Sequence, residues 1–556
     1  MNQDARSPIF QLSDRLVDAA VASSPLLGTF IGVPGNDHRW DDISPAGADR
    51  SAALWQQTQA ALEGLTPQDE DDELAKRVIL AHCDEQLEAW AAGDHLVDLN
   101  SIVSPPQMFV MAFDVMAMTT AEERERVLLR LAGLGTACEF YRESLEAGRL
   151  LGRAVARRQV LAAIEQCRAH AGDASFFVSL PGRFGELESA EQARMAVGVD
   201  AARRSFGVLA DYLETTYLPS APSVDAVGRE RYLRAMRRHL GMRGDPEELY
   251  AWGVAEVLRI EAQMRDVAAH LRPGATVAAV VQALQTEPAY CAATADEFIA
   301  LIERCEARAL ERLDGVHFDV PPLARTLLIK RAPRGAGPIG AYYLAPSADF
   351  SRPGGVYYQL EKDTSIPTFD EISTAFHEGF PGHHLQISTQ IAQADRLSRF
   401  QRLIASNTGH AEGWALYAEQ LMYELGFLDR PEYVLGMYVG QLVRALRVVV
   451  DIGLHLKLPV AAAFGREEAW TFETATRLLE ERGFMTPEGA RAEVTRYLGW
   501  PGQAIAYKVG QRVILRLRDE RRAALGPDFD PRRFHNSILN VGSIGLDLLN
   551  EWVRRG

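Results

Sequence analysis

The chain has 556 residues, 47% of them hydrophobic and 24% charged, proportions that suit a globular protein and exclude a disordered or collagen-like polypeptide. Fifty-nine Lys and Arg against 75 Asp and Glu give a formal net charge of -16, and no long basic run offsets it, which argues against nucleic acid and anionic membrane as partners. The five cysteines, Cys83, Cys138, Cys167, Cys291 and Cys305, form no close pair and encode neither a disulfide framework nor a thiolate metal site.

From the N-terminus, MNQDARSPIFQLSDRL mixes both charge signs without a continuous apolar run, so a cytoplasmic location is the expectation. Apolar residues at three- and four-residue spacing then predict helices over Asp71–Trp90, Ala121–Ala147, Gly152–His170, Ala190–Tyr217, Val227–Leu240 and Pro246–Leu271. The Pro- and Ser-rich run LPSAPSV at Leu218–Val224 marks a candidate boundary. It divides an N-terminal helical region, 1–224, from a helical region, 225–556, that holds the chemistry-bearing residues. Strand signals are confined to about 324–360, where RTLLIKRA, GAYYLAPS and GGVYYQLE are separated by the turn-forming PRGAGP and DFSRPGG. They predict a small antiparallel sheet. SIPTFD then ends in residues suited to helix capping, and the segment EISTAFHEGFPGHHLQISTQIA begins. Helices are expected again over Gly409–Leu425, Tyr433–Lys457, Glu467–Arg482, Pro487–Tyr497 and Gln503–Ala523. The apolar stretch from Tyr433 to Pro459 is interrupted by Gln441, Arg444, Arg447, Asp451 and His455 on one side of a helix, which reads as a buried helix with a polar stripe and not a membrane span. The arginines of that stripe line a water-filled channel or pair with acidic neighbours such as Asp451, and ion pairing is the favoured reading. The fold expected is mainly α.

Of 13 histidines, His377, His383 and His384 fall close together, with Glu378 beside the first. Imidazoles and a carboxylate are ligands that zinc prefers. In the sequence HExxH the two histidines sit about 40° apart on a helix and reach into one cleft. Here the fourth position after His377 is Pro381, which lacks an N–H and clashes with the preceding turn, while Gly382 tolerates unusual dihedrals. If GFPG loops out two residues, His383 replaces the ordinary second ligand; on an unbroken helix His384 would return to the face of His377. His383 is the favoured choice. Downstream, SNTGHAEGWALYAEQLMYELG is strongly helical, and Glu412 is the candidate third ligand, with Glu419 or His410 as a hydrogen-bonding neighbour that holds a ligand in place.

FHEGFPGHHLQ at Phe376–Gln386 together with EGWALYAE at Glu412–Glu419 resembles the bacterial DUF885 family, whose members carry an HExxPGHH segment and look like zincin metallopeptidases. PLLGTFIGVPGNDHRWDDIS, YYLAPSADFSRPGGVYY and YLGWPGQAIAYKVG look like further family segments, so the resemblance covers essentially the whole chain. A more distant likeness to α-helical oligopeptidases, angiotensin-converting enzyme and carboxypeptidase Taq implies an elongated multi-helix body with a deep central channel.

These residues together lead to the expectation of one zinc held by His377, His383 and Glu412, Glu378 as general base, and Tyr507 as oxyanion donor with Gln503 and Lys508 as helpers. Strand GGVYYQLE could lend an edge to an extended peptide, and Arg352 could pair with a substrate carboxylate. The expected activity is hydrolysis of short peptides in an internal channel. The alternatives are a metal hydrolase of another amide or ester and a non-catalytic scaffold that binds metal or peptide.

Overall fold

The structure is a computed structural model that describes residues 6–185, 187–332, 340–360, 362–465 and 469–555. In chain order its helices are α1 (Pro8–Ser23), α2 (Pro25–Ile31), α3 (Pro45–Glu63), α4 (Glu70–Ala92), α5 (Pro105–Val115), α6 (Ala121–Leu150), α7 (Arg157–Ala171), α8 (Phe176–Ser179), α9 (Ser189–Tyr212), α10 (Arg229–Leu240), α11 (Pro246–Leu271), α12 (Val277–Thr286) and α13 (Ala295–Leu313). They continue as α14 (Glu371–Glu378), α15 (His383–Ala392), α16 (Arg399–Leu403), α17 (Thr408–Glu424), α18 (Pro431–Leu456), α19 (Phe472–Gly483), α20 (Pro487–Gly499), α21 (Ala506–Leu525), α22 (Pro531–Leu539) and α23 (Leu546–Arg555). The chain is mainly helical, as its periodicities predict. Glu467, where the sequence suggests the start of α19, and the turn PRGAGP lie outside the described residues.

The chain divides into two compact units, one of Met1–Asp225 with Ser398–Phe400 and Leu498–Trp500, the other of Ala226–Leu397, Gln401–Tyr497 and Pro501–Gly556. In the first, α6 begins on a capping box in which the Thr120 hydroxyl accepts from Glu123 N and the Glu123 carboxylate accepts from Thr120 N. Its core joins Phe109 and Phe113 of α5, Leu131 and Tyr141 of α6 and Phe206 of α9, all buried.

The second unit holds the strands. Strand β1 (Cys291–Thr294) pairs antiparallel with β5 (Thr364–Pro367), Ala292 opposite Ile366. The other sheet has the order β2 (Leu327–Arg331), β4 (Gly354–Gln359), β3 (Gly340–Leu344). The expected antiparallel arrangement holds for β3 and β4, but β2 and β4 run parallel, with Leu327 opposite Gly354 and Arg331 opposite Tyr358. Strand β4 is therefore central, flanked on both sides, and its near-continuous burial is that of an interior strand. That corrects the reading of GGVYYQLE as a free edge for a peptide, because both of its hydrogen-bonding sides are taken.

Strand β5 leads directly into α14. The expected cap differs in detail: the Asp370 side chain makes no capping bond, and the Thr368 hydroxyl donates instead to Tyr290 O at 3.0 Å, tying the helix entry to the residue before β1. Helix α18 is the one described helix long and apolar enough to cross a membrane, and most of it is buried inside this unit, packed on α11, α14, α17, α19 and α21.

Candidate metal centre

Helix α14 ends at Glu378 because Gly379, at φ -92° and ψ -131°, leaves helical geometry, and α15 starts after Gly382, at φ -76° and ψ -127°. The helix is interrupted outright, a larger break than a two-residue bulge. Pro381 offers no N–H to continue it. The loop Gly379–Gly382 folds tightly against α14: a Cβ on Gly382 would stand 2.0 Å from His377 O, so the turn requires glycine there. His384 N donates to Gly379 O at 3.2 Å, closing the loop onto α15.

This break brings His377 and His383 face to edge, with ring centroids 4.9 Å apart and planes at 85°. Helix α17 packs against both α14 and α15 and delivers Glu412 to the same point. Glu412 Oε2 lies 3.3 Å from His377 Nε2 and 3.5 Å from His383 Nε2. It is buried and has no hydrogen-bond partner in proper geometry. Ligand atoms about 2.0–2.2 Å from a tetrahedral zinc stand roughly 3.3–3.5 Å apart, so both carboxylate–imidazole distances match that spacing, and the three ligand atoms all lie within 4.8 Å of one another. Among the described residues they are the group of His, Cys, Asp and Glu side chains able to converge on one ion. His383, Glu412, Glu378 and Tyr507 each retain some exposed surface, whereas His377 is buried.

Neighbouring residues fix the imidazole. His377 Nδ1 bonds Glu419 Oε1 at 2.8 Å, and the other Glu419 oxygen accepts from Ser373 Oγ at 2.9 Å and Gln441 Nε2 at 3.4 Å. With Nδ1 given to a carboxylate, Nε2 is the nitrogen that faces Glu412, and its lone pair becomes available to a cation once its proton is displaced. Burial works against charge on His377, but Glu412 and Glu419 outweigh it and hold its pKa at about 9. Burial would likewise raise Glu412, yet the two imidazoles keep it below the ordinary carboxylate range. Burial pushes Glu378 upward, opposed by His377 and His383.

His384 is not part of this cluster. Its Nε2 bonds Ala324 O at 2.8 Å and its Nδ1 bonds the Tyr343 hydroxyl at 3.1 Å, so it ties α15 to the turn before β2 and to β3. His410 also faces elsewhere, its Nδ1 accepting from Ile544 N at 3.2 Å. Of the two candidates on α17 for holding a ligand, Glu419 is the one in contact.

The Tyr507 ring stacks on His377, centroids 6.5 Å apart at 17°, and burial raises its phenol pKa. Arg447 lies over the same ring at 4.9 Å and binds Glu493 Oε2 at 2.9 Å. Gln503 accepts from Arg496 at 2.6 Å. Lys508 is a correction: buried, it bonds Glu256 Oε1, Gln441 Oε1 and Gln511 Oε1, each at 2.8 Å, and has no place as an oxyanion helper. Arg352 is exposed in its turn. Asp451 does not pair with the arginines of α18; its Oδ2 accepts from Tyr232 Oη at 2.6 Å and Gly502 N at 3.0 Å. Arg444 instead approaches Glu419 at 3.9 Å. Ser373 and Glu306 carry no motif that sequence reasoning could have used, whereas Gln441 stands in the polar stripe of α18 that the sequence shows, and its contact with Glu419 is what the stripe alone does not reveal.

No curated protein matches the sequence. Among solved structures, a protein titled "putative lipoprotein" from Colwellia psychrerythraea is 23% identical, with 98% of each chain covered and a TM-score of 0.86. A second, titled "putative lipoprotein of unknown function", from Shewanella oneidensis, is 18% identical over 98% of this chain and 99% of that one, with a TM-score of 0.75. At these identities the likeness is one of fold. The family described as "Bacterial protein of unknown function (DUF885)" matches residues 25–553, nearly the full length, and the chain belongs to that family.

Proposed function

We propose that this chain is a zinc-dependent metallopeptidase acting on short peptides. The observation that carries the reading is the convergence of His377 Nε2, His383 Nε2 and the unpartnered Glu412 Oε2 at 3.3 and 3.5 Å, with Glu419 orienting the first imidazole. Three candidate protein ligands are the number that a catalytic zinc site uses, where a structural site takes four. His377, His383 and Glu412 would hold the metal, which when bound would supply Lewis acidity toward a water and a carbonyl.

The chain's own residues supply the rest. Glu378 takes the proton of the attacking water and passes it to the leaving amine; its upward-shifted pKa suits both steps. Tyr507, kept protonated by burial, donates to the oxygen that gains charge. The partial burial of His383, Glu412, Glu378 and Tyr507 supports access for an extended chain in preference to a folded surface. The deep channel and zincin-like body implied by the family resemblance belong to this same proposal.

The test is metal analysis of the purified protein followed by mass spectrometry of a mixed peptide pool. About one zinc per chain, cleavage reversed by chelation and restored by metal, and a loss of about 10²–10⁴-fold in kcat for Glu378→Gln with metal content unchanged are expected. Bound zinc without cleavage of any peptide would turn the assignment toward another amide or ester, or toward a binding scaffold; no bound metal would overturn it.

A further inference from the structure

The loop that separates the two histidine ligands is held from outside the cluster. Glu306, on α13, is buried to 6% exposure. Its Oε2 accepts the Phe380 N–H at 2.8 Å, across 74 residues of sequence. Its Oε1 packs against Gly379, where an added Cβ would come within 2.0 Å of it, and that oxygen has no hydrogen-bond partner. A second hold comes from α17, where Trp414 Nε1 donates to Pro381 O at 2.9 Å. Four residues, Gly379 to Gly382, are thus clamped between α13 and the helix that carries Glu412. Among the described residues no cation pairs with Glu306, and burial pushes its pKa upward, against the lowering pull of the Phe380 amide.

We propose that Glu306 is a positioning residue of the metal centre: by holding the Phe380 amide and packing on Gly379 it sets the spacing and orientation of His377 relative to His383. This inference rests on the metal-centre reading given above. The physical reason is that a loop without helical hydrogen bonds of its own would otherwise sample many conformations, and a buried N–H left without an acceptor would be free to reorient toward any alternative partner. An acceptor delivered by a rigid neighbouring helix removes both freedoms.

The test compares Glu306→Gln, Glu306→Leu and, as a control for general destabilisation, Ile302→Ala, a fully buried residue one turn earlier on α13. Each full-length variant is titrated with Co(II), reading affinity and the d–d absorption bands, which report ligand geometry. Glu306→Gln keeps an uncharged acceptor of similar shape and is expected within about threefold of the wild type, whereas Glu306→Leu loses about 10–100-fold in affinity, the usual cost of losing a supporting contact, with shifted bands. Ile302→Ala is expected to unfold more easily yet keep the wild-type spectrum. A Glu306→Leu spectrum and affinity equal to wild type, or an equal loss in Ile302→Ala, overturns the proposal. Hydrogen exchange without added metal gives a second, independent reading: peptides spanning Phe376–His384 lose protection in Glu306→Leu and keep it in Glu306→Gln. Unchanged protection in Glu306→Leu defeats the positioning role, while failure of the wild type to bind cobalt at all counts against the metal centre instead.

Discussion

The two nitrogens of His377 face opposite ways, Nε2 toward Glu412 and Nδ1 toward Glu419. A negative acceptor on Nδ1 increases the basicity of Nε2 and selects the tautomer in which it can bind a cation. Glu419→Gln retains a hydrogen-bond acceptor but removes the charge, and is expected to weaken zinc about 10–100-fold while leaving the far-ultraviolet circular dichroism unchanged; calorimetric titration checks it. At this scale the sequence was informative where chemistry was concentrated. His377, His383 and Glu412 stand out because imidazoles and a carboxylate in that pattern are candidate metal ligands, and the fold brings the three together. Lys508 misled because adjacent residues on a helix point about 100° apart: Tyr507 reaches His377, and its neighbour turns into the Glu256–Gln441 network. Glu306 was not legible at all. In ERCEARALERL it has the look of one more solvated helix carboxylate, and only the chain folding back across 74 residues makes it internal.

Among the elements, α17 and α21 touch along their backbones. A Cβ on Gly413 would stand 2.4 Å from Gly510 C, and one on Gly510 would stand 1.9 Å from Gly409 O. Gly413→Ala must force the helices apart or bend them, at a cost of about 1–3 kcal/mol. Because Gly413 follows Glu412 directly, denaturant midpoint and zinc affinity should fall together in that variant. Helix α18 offers a pH signature. Burial raises the pKa of Asp451 from 3.8 to about 7, against the lowering pull of Tyr232 and Gly502. Below the unfolded value both states are protonated; as pH rises from about 4 to about 7 only the unfolded chain ionises, so the folded state loses up to about 1.4 kcal/mol per pH unit from this group. Asp451→Asn keeps an acceptor for Tyr232 and Gly502 and removes the titration. Urea unfolding at several pH values should show the variant gaining on the wild type across that window and levelling off above it. The helices themselves were legible in the apolar spacing, since amphipathic periodicity is local information. The parallel pairing of β2 with β4 was not: strand order depends on where distant segments return, and a short apolar run reads the same at the centre of a sheet as at its edge.

On the scale of the whole molecule, α14, α15 and α17, which carry the candidate ligands, belong to the second compact unit. A ligand that binds only the folded form stabilises it by about 2.7 kcal/mol at a hundred times its dissociation constant. Saturating zinc should therefore slow amide exchange by up to about 100-fold in the segments that open with the site, Glu371–Ala392 and Thr408–Glu424, and leave Ala121–Leu150 unaffected; exchange mass spectrometry resolves these regions. The family match and the fold likeness extend over nearly the full chain, so the same measurement on a relative would test whether the response travels with the fold. Glu412 and Glu419 lie on one face of α17, one contributing to the cluster and the other aligning His377. A slip of that helix by a single residue would swing both carboxylates away by about 100° at once. The two carboxylates should therefore act as an interlock: one residue inserted between Glu412 and Glu419 puts them about 100° out of phase, so that no rotation of α17 seats both, and cation affinity should fall at least as far as in Glu419→Gln.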